Sequence, residues 1–158
     1  MMHPLKARLR VLVFDDEMSM RDMLHHILTD MGCEVFSFHD PALFPFYKEN
    51  RCVCASGHAC ADILISDMNM PCVSGLRFME SSSCKIPFKA IMSGTWEDAD
   101  MKRAHDLNLN IFTKPFKMNE VRNWIETCSE SIPADRVLDD SLQKLSPPAV
   151  KAFLSSGP

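Results

Sequence analysis

The sequence predicts an α/β protein built on a doubly wound, five-stranded parallel sheet. Short apolar runs alternate with helical stretches through five rounds along the 158 residues, which is the pattern of such sheets. Acidic residues directly follow two of the runs. Open α/β sheets hold their functional sites at the carboxyl ends of their strands, so these acids mark the edge where a site is expected.

The first half of the chain supplies two predicted strands and two predicted helices. The first strand is predicted at residues 10–14, directly before Asp15 and Asp16, and the second at residues 34–38. Between them, apolar residues recur at helical spacing and Gly32 stands at a helix C-cap position. The residues that form this apolar face are Met20, Met23, Leu24, Ile27, Leu28 and Met31. Asp40-Pro41 is an N-cap followed by a first-turn proline, which predicts a second helix to about residue 50.

The second half continues the alternation. Residues 51–60 are predicted as a cysteine-bearing loop, and residues 62–66 as a third strand that is buried on both faces and ends at Asp67. Proline and glycine punctuate a loop at 68–75. Later elements are a short helix at 76–82, a strand at 89–92, a helix at 97–107 and a strand at 110–113. The face of the final helix is formed by Val121, Trp124, Ile125 and Cys128.

Length and composition predict one domain with a substantial core. The hydrophobic fraction of 46% supports such a core, which we assign to residues 1–128 with the cysteine-bearing insert at 51–60. From residue 129 the chain becomes polar and contains prolines. Residues 129–158 are therefore expected to form a polar C-terminal tail. They are too few to make a DNA-binding unit of ordinary size, so no output domain is expected.

Charge and hydropathy exclude several classes of function. The net charge of −4 and the pI near 5.8 provide no basic surface, which argues against direct nucleic-acid binding. No run approaches the roughly 18 apolar residues of a membrane span, and residues 11–14 are too short for a signal-peptide core. We therefore expect a cytoplasmic protein. Seven cysteines, an odd number, are then expected to be reduced thiols.

Asp15, Asp16 and Asp67 together predict a cation site. If the strands before them are neighbours, the three acids meet at one edge of the sheet. Two carboxylates about 4 Å apart repel by roughly 4 kcal/mol at an effective dielectric near 20, which favours either protonation of one acid or a bound cation. Oxygen ligands without His or Cys suit Mg²⁺, Ca²⁺ or Mn²⁺, and Mg²⁺ fits a small open crevice. The alternative is that Asp15 or Asp16 caps the following helix.

Two further residues convert this cation site into a candidate phosphoryl site. Ser93 follows the fourth strand and Lys114 follows the fifth, so both are expected at the same edge of the sheet. A cation and an ammonium group neutralise phosphate oxygens, and a hydroxyl donates a hydrogen bond to them. Asp67, at the centre, is the expected acceptor of the phosphoryl group.

These motifs resemble the receiver domain of two-component response regulators. The resemblance covers residues 8–128 and depends on the order and spacing of four motifs. They are Asp15-Asp16, Asp67-Met-Asn-Met-Pro71, Ser93-Gly94 and Lys114-Pro115-Phe116. It implies a flavodoxin-like sheet of strand order 2-1-3-4-5, and a protein that takes a phosphoryl group from a histidine kinase or a histidine phosphotransfer protein.

The resemblance also implies which residues bind Mg²⁺. Asp67 matches the phosphorylated aspartate and Asp16 a direct Mg²⁺ ligand. Asp15 matches an acid that acts largely through water, and Asn69 matches the residue whose backbone carbonyl completes the metal shell.

Lys114 matches the lysine that pairs with the phosphoryl group, and Ser93 matches the switch hydroxyl. The Lys114-Pro115 bond is expected to be cis, as the resemblance implies and as proline permits. One position departs from the family pattern: Ile111 stands where receivers commonly carry Tyr or Phe. Phe112 is one place late and is expected on the opposite face of the strand, so the usual aromatic switch is not expected here.

The leading hypothesis is a stand-alone receiver of the chemotaxis or relay type, which signals by protein contacts and is not a turnover enzyme on outside substrates. The competing hypothesis is a pseudo-receiver scaffold, or a zinc, thiol or redox sensor that uses the insert. Cys52, Cys54, His58 and Cys60 could supply four soft ligands. Their spacing is compressed relative to usual zinc motifs, and buried reduced thiols are the simpler interpretation.

Overall fold

The computed structural model describes residues 5–43, 58–81 and 84–139. The strands are β1 (Arg10–Phe14), β2 (Glu34–Phe38), β3 (Ile63–Asp67), β4 (Phe88–Ser93) and β5 (Asn110–Thr113). The helices are α1 (Met18–Asp30), α2 (Gly75–Ser81), α3 (Asp98–Asp106) and α4 (Met118–Ser131), with a 3₁₀ turn at Pro41–Leu43.

The five strands form one parallel sheet of order β2-β1-β3-β4-β5. β1 therefore lies between β2 and β3, and its last residue, Phe14, is in register with Ser66. This order confirms the doubly wound, flavodoxin-like topology predicted from the sequence. It also brings the carboxyl ends of β1 and β3 side by side.

Helices cover both faces of the sheet, because strands such as β1 bury side chains on both faces. Its side chains alternate between two buried clusters, with Leu12 and Phe14 in one and Val11 and Val13 in the other. The first cluster includes buried residues of α2 and α3, and the second includes buried residues of α1 and α4. The α4 face that the sequence predicted lies in this second cluster, where Val121, Ile125 and Cys128 are buried and Trp124 is partly buried.

Local signals before the third strand are confirmed as far as the structure describes them. Gly32 ends α1 with a φ of +89°, a conformation that only glycine adopts without strain. Asp40 accepts the Ala42 N–H at 2.9 Å and so caps the 3₁₀ turn. The predicted second helix beyond residue 43, and most of the predicted loop at 51–60, lie outside the described residues.

The segment after residue 128 continues the fold further than its polar composition suggested. α4 extends to Ser131, and Arg136 then forms a two-pronged ion pair with the buried Asp62, with N–O distances of 2.8 and 2.6 Å. The Asp139 N–H donates to the Ala59 carbonyl at 2.9 Å. The C-terminal part of the described chain is thereby anchored at the amino ends of the strands, opposite the acidic cluster. None of the described helices is long and apolar enough to cross a membrane.

Candidate functional site

Three acids meet at the carboxyl edge of the sheet, as the sequence predicted. Asp15 directly follows β1 and Asp67 is the last residue of β3. One carboxylate oxygen from each of Asp15, Asp16 and Asp67 lies within 4.8 Å of the other two. Asp15 is fully buried, Asp67 is 4% exposed and Asp16 is exposed. The cluster therefore has two buried carboxylates and one that opens it to solvent.

Lys114 reaches this cluster from the end of β5. Its Nζ donates to Asp67 Oδ1 at 3.0 Å and lies 3.5 Å from Asp15 Oδ2. The Lys114-Pro115 bond is cis, as predicted. Burial lowers the pKa of Lys114, but the hydrogen bond to Asp67 and the charges of the two acids outweigh it and raise the pKa above its ordinary value. Lys114 is thus a permanent cation beside Asp67.

One lysine does not neutralise the buried acids. Burial raises the pKa of Asp15 to about 6, and the Asp67 charge adds to this, although the Glu17 N–H and Lys114 oppose it. Burial also raises the pKa of Asp67 despite its bond with Lys114. Asp15 Oδ2 is buried and has no hydrogen-bond partner among the described residues. Unneutralised oxygens in a cluster of carboxylates fit a hard divalent cation such as Mg²⁺.

This electrostatic arrangement predicts that Asp15→Asn stabilises the metal-free protein. An acid whose pKa is raised by folding binds its proton more tightly in the folded state, so stability falls as pH rises from about 4 to about 6. Asparagine has a neutral amide in place of the carboxylate, so the variant does not lose this stability as the pH rises. We expect the free energy of unfolding in EDTA to rise by up to about 3 kcal/mol at neutral pH, with no gain below about pH 4. Urea unfolding at the two pH values measures it.

Asp16→Asn provides the matched control, because it removes a neighbouring carboxylate that is exposed. Its effect on unfolding in EDTA should remain within about 0.5 kcal/mol. Equal stabilisation by the two variants, or a gain for Asp15→Asn that persists at acidic pH, would show that burial of Asp15 is not the cause.

The loop after Asp67 is held against the sheet by its backbone. The Met68 N–H donates to the Met92 carbonyl and the Gly75 N–H donates to the Met68 carbonyl, both at 2.8 Å. Asn69 lies exposed between these anchors. A Cβ at Gly75 would overlap the carbonyl oxygen of Asp67 and lie 2.7 Å from Ile91 Cδ1. Glycine at position 75 thus allows the start of α2 to pack directly on the backbone of Asp67.

Ser93 lies at the predicted edge of the sheet, but its hydroxyl is engaged locally. The side chain is fully buried, and Oγ donates to the Thr95 carbonyl at 2.7 Å while it accepts the Thr95 N–H at 3.2 Å. The Ser93 carbonyl accepts the Lys114 N–H at 2.8 Å. The backbone of Ser93 is therefore tied to Lys114, whereas its hydroxyl is tied to the following loop.

Ile111 and Phe112 lie on opposite faces of β5, as predicted. Ile111 packs against the cluster shared with α2 and α3, and Phe112 belongs to the cluster shared with α1 and α4. On that second face the Phe112 ring lies 5.5 Å from the Trp124 ring, edge to face. β5 consequently presents no aromatic side chain to the Ile111 face.

Arg21 is a site residue that the sequence analysis missed. It is buried in α1, and its Nη1 donates to the backbone carbonyl of Asp15 at 2.7 Å. The one available signal was its position on the apolar face of α1, in line with Leu24 and Leu28. A buried arginine there adds positive charge beneath the acidic cluster and holds the chain between β1 and α1.

The cysteine-bearing insert receives no support as a metal site. Cys52 and Cys54 lie outside the described residues. Cys60 is buried, its N–H donates to Cys84 Sγ at 3.3 Å, and His58 is partly buried. Among the described residues, the acidic cluster is the one group of three or more His, Cys, Asp or Glu side chains with ligand atoms close enough to bind an ion.

Solved structures resemble this fold. The chain is 24% identical to the chemotaxis protein CheY4 of Vibrio cholerae, with a TM-score of 0.59 over 77% of this chain and 99% of that one. A response regulator receiver domain protein of Clostridium thermocellum is 22% identical, with a TM-score of 0.62 and coverage of 78% and 95%. An uncharacterized protein of Neptuniibacter caesariensis is 18% identical, with a TM-score of 0.65 and coverage of 79% and 90%. At these identities the likeness concerns the fold.

Family comparison identifies the chain more specifically. No curated protein sequence matches it. The model of the response regulator receiver domain matches residues 11–126, which is most of the chain and includes the acidic cluster, Ser93 and Lys114. The protein therefore belongs to the response regulator receiver domain family.

Proposed function

We propose that this protein accepts a phosphoryl group on Asp67, with Mg²⁺, from a histidine kinase or a histidine phosphotransfer protein, and that it signals through protein contacts. The observation that carries the proposal is the position of the Asp67 carboxylate. It lies at the carboxyl edge of the sheet, 3.0 Å from Lys114 Nζ and clustered with Asp15 and Asp16. Membership of the receiver family supports the same chemistry.

The chemistry follows from these groups. A carboxylate oxygen of Asp67 attacks the phosphorus of a phosphohistidine, an oxygen–phosphorus bond forms and the phosphorus–nitrogen bond breaks. The electron pair of the broken bond returns to the nitrogen of the protonated imidazole ring, which leaves as neutral histidine. Lys114 holds Asp67 in place and compensates the negative charge of the incoming group.

Asp15, Asp16 and Asp67 are the side chains that would hold Mg²⁺, together with the backbone carbonyl of Asn69. The buried Oδ2 of Asp15 supports this assignment, because it accepts no hydrogen bond from the described residues and its contact with Lys114 Nζ, at 3.5 Å, is an ion pair only. When bound, Mg²⁺ neutralises charge on the phosphoryl oxygens. Water can hydrolyse the phosphoryl group from Asp67. This hydrolysis of its own phosphoryl group would be the one reaction that the protein turns over. The protein would not be an enzyme for outside substrates.

Intact-protein mass spectrometry tests the proposal. The reduced protein is incubated with acetyl phosphate, or with phosphoramidate as a donor that contains a phosphorus–nitrogen bond. We expect one phosphoryl adduct in the presence of Mg²⁺, little or none in EDTA, and none on the urea-unfolded chain, because only the fold assembles the charges. Hydroxylamine should remove the adduct, since it cleaves acyl phosphates.

A folded protein that is stabilised by Mg²⁺ but forms no adduct with either donor would contradict the proposal. An adduct that forms equally in EDTA, or that resists hydroxylamine, would also contradict it, because either result would place the phosphoryl group outside the acidic cluster.

A further inference from the structure

The hydroxyl of Ser93 has a single hydrogen, and that hydrogen already forms a hydrogen bond within the protein. It bonds the Thr95 carbonyl at 2.7 Å, within a side chain that is fully buried. A hydroxyl donates only one hydrogen bond, so Ser93 cannot donate to a phosphoryl group on Asp67 and to Thr95 at the same time. Recruitment of Ser93 therefore requires release of the Thr95 carbonyl. The loop between β4 and α3 then loses this hydrogen bond to Ser93.

Trp96 is the large side chain next to this contact. It is partly buried and packs against the cluster that contains the buried residues of α2 and α3. Its indole Nε1 is buried and has no acceptor among the described residues. Buried indole N–H groups usually have a partner, so this packing leaves a polar group unsatisfied. A modest shift of the loop that let the N–H reach water or a carbonyl would relieve that loss.

The same cluster lacks an aromatic side chain on β5. Ile111 packs there beside Ile91, and Phe112 points to the opposite face. Trp96 is thus an aromatic ring on the Ile111 face that directly follows the segment tied to Ser93. Ala104 of α3 is buried in the same cluster, so Trp96 and α3 pack against one common core.

We propose that Trp96 is the switch residue of this protein: when Ser93 turns to a phosphoryl group on Asp67, the released loop changes the packing of Trp96 against the cluster beneath α3. This inference rests on the proposed function, because the phosphoryl group is what draws Ser93 away from Thr95. Trp96 contacts no reacting atom and acts through Ser93 and Thr95.

Fluorine NMR on 5-fluorotryptophan-labelled protein tests the inference without a mutation in the switch. The chain has two tryptophans, so two resonances are expected, and a Trp96→Phe sample assigns them. On addition of acetyl phosphate and Mg²⁺ we expect the Trp96 resonance to move or split. The Trp124 resonance, from the opposite face, should move much less. Intact mass on the same sample measures the adduct.

Ser93→Ala separates formation of the adduct from the response of Trp96 to it. The variant lacks a hydrogen-bond donor to the phosphoryl group, so we expect it to label more slowly than the native protein. Spectra are therefore compared at equal adduct fractions, measured by intact mass, and the Trp96 resonance of the variant should no longer respond to the adduct. An adduct with an unmoved Trp96 resonance in the native sequence would overturn the inference and leave the proposed function standing. A response that persists in Ser93→Ala would overturn the Ser93 coupling. A missing adduct would instead count against the proposed function and remove the inference with it.

Discussion

Asp67→Asn is expected to abolish the phosphoryl adduct. The amide has no nucleophilic carboxylate oxygen, so the reaction with acetyl phosphate or phosphoramidate should fall to the background of the unfolded chain. The fold should survive. Burial raises the pKa of Asp67, so a neutral side chain lowers the cost of the buried charge at neutral pH, and the amide oxygen can still accept a hydrogen bond from Lys114. Intact mass and a thermal melt in EDTA measure the two effects.

Asp106→Asn is the matched control, since it replaces an exposed aspartate at the end of α3. This variant should label like the native protein. An adduct that survives in Asp67→Asn should be mapped by peptide mass, and if it lies on Asp15 or Asp16 the assignment of the acceptor is wrong. Loss of labelling in both variants would indicate a general defect.

Gly75→Ala is expected to destabilise the protein by about 3 kcal/mol, at the upper end of what overpacking of a core usually costs. The added methyl group would overlap the backbone oxygen of Asp67 and crowd Ile91 Cδ1 at 2.7 Å. A flexible side chain could move aside, but a strand backbone cannot without carrying Asp67 with it. We therefore also expect slower labelling of Asp67 at temperatures where the variant is fully folded. Urea unfolding and the time course of the adduct measure these effects.

Gly94→Ala distinguishes crowding from a general intolerance of alanine near the site. A Cβ at Gly94 would meet Lys114 Cβ at 3.8 Å, an ordinary contact, so the change in unfolding free energy should remain within about 0.5 kcal/mol. Equal destabilisation by the two substitutions would show that the contact between Gly75 and Asp67 is not decisive.

The sequence alone determined the order of the elements and the residues at the acidic edge. Strands with buried faces are apolar, and parallel strands bring their carboxyl ends together, so the positions of Asp15, Asp16 and Asp67 after their strands were enough to predict one cluster. Alternation along β5 likewise separated Ile111 from Phe112. These features depend on local periodicity and on the order of the strands. Both can be inferred from the order of residues along the chain.

Only the tertiary structure decided which hydrogen bonds and ion pairs the side chains form. The partner of the Ser93 hydroxyl, the contact of Arg21 with the Asp15 carbonyl and the unsatisfied indole of Trp96 each depend on the detailed packing of the folded chain. The ion pair of Arg136 with Asp62 joins residues 74 positions apart, and neither composition nor residue spacing predicts it. Polar residues after α4 are as compatible with solvent as with a buried carboxylate, and packing alone selects between them.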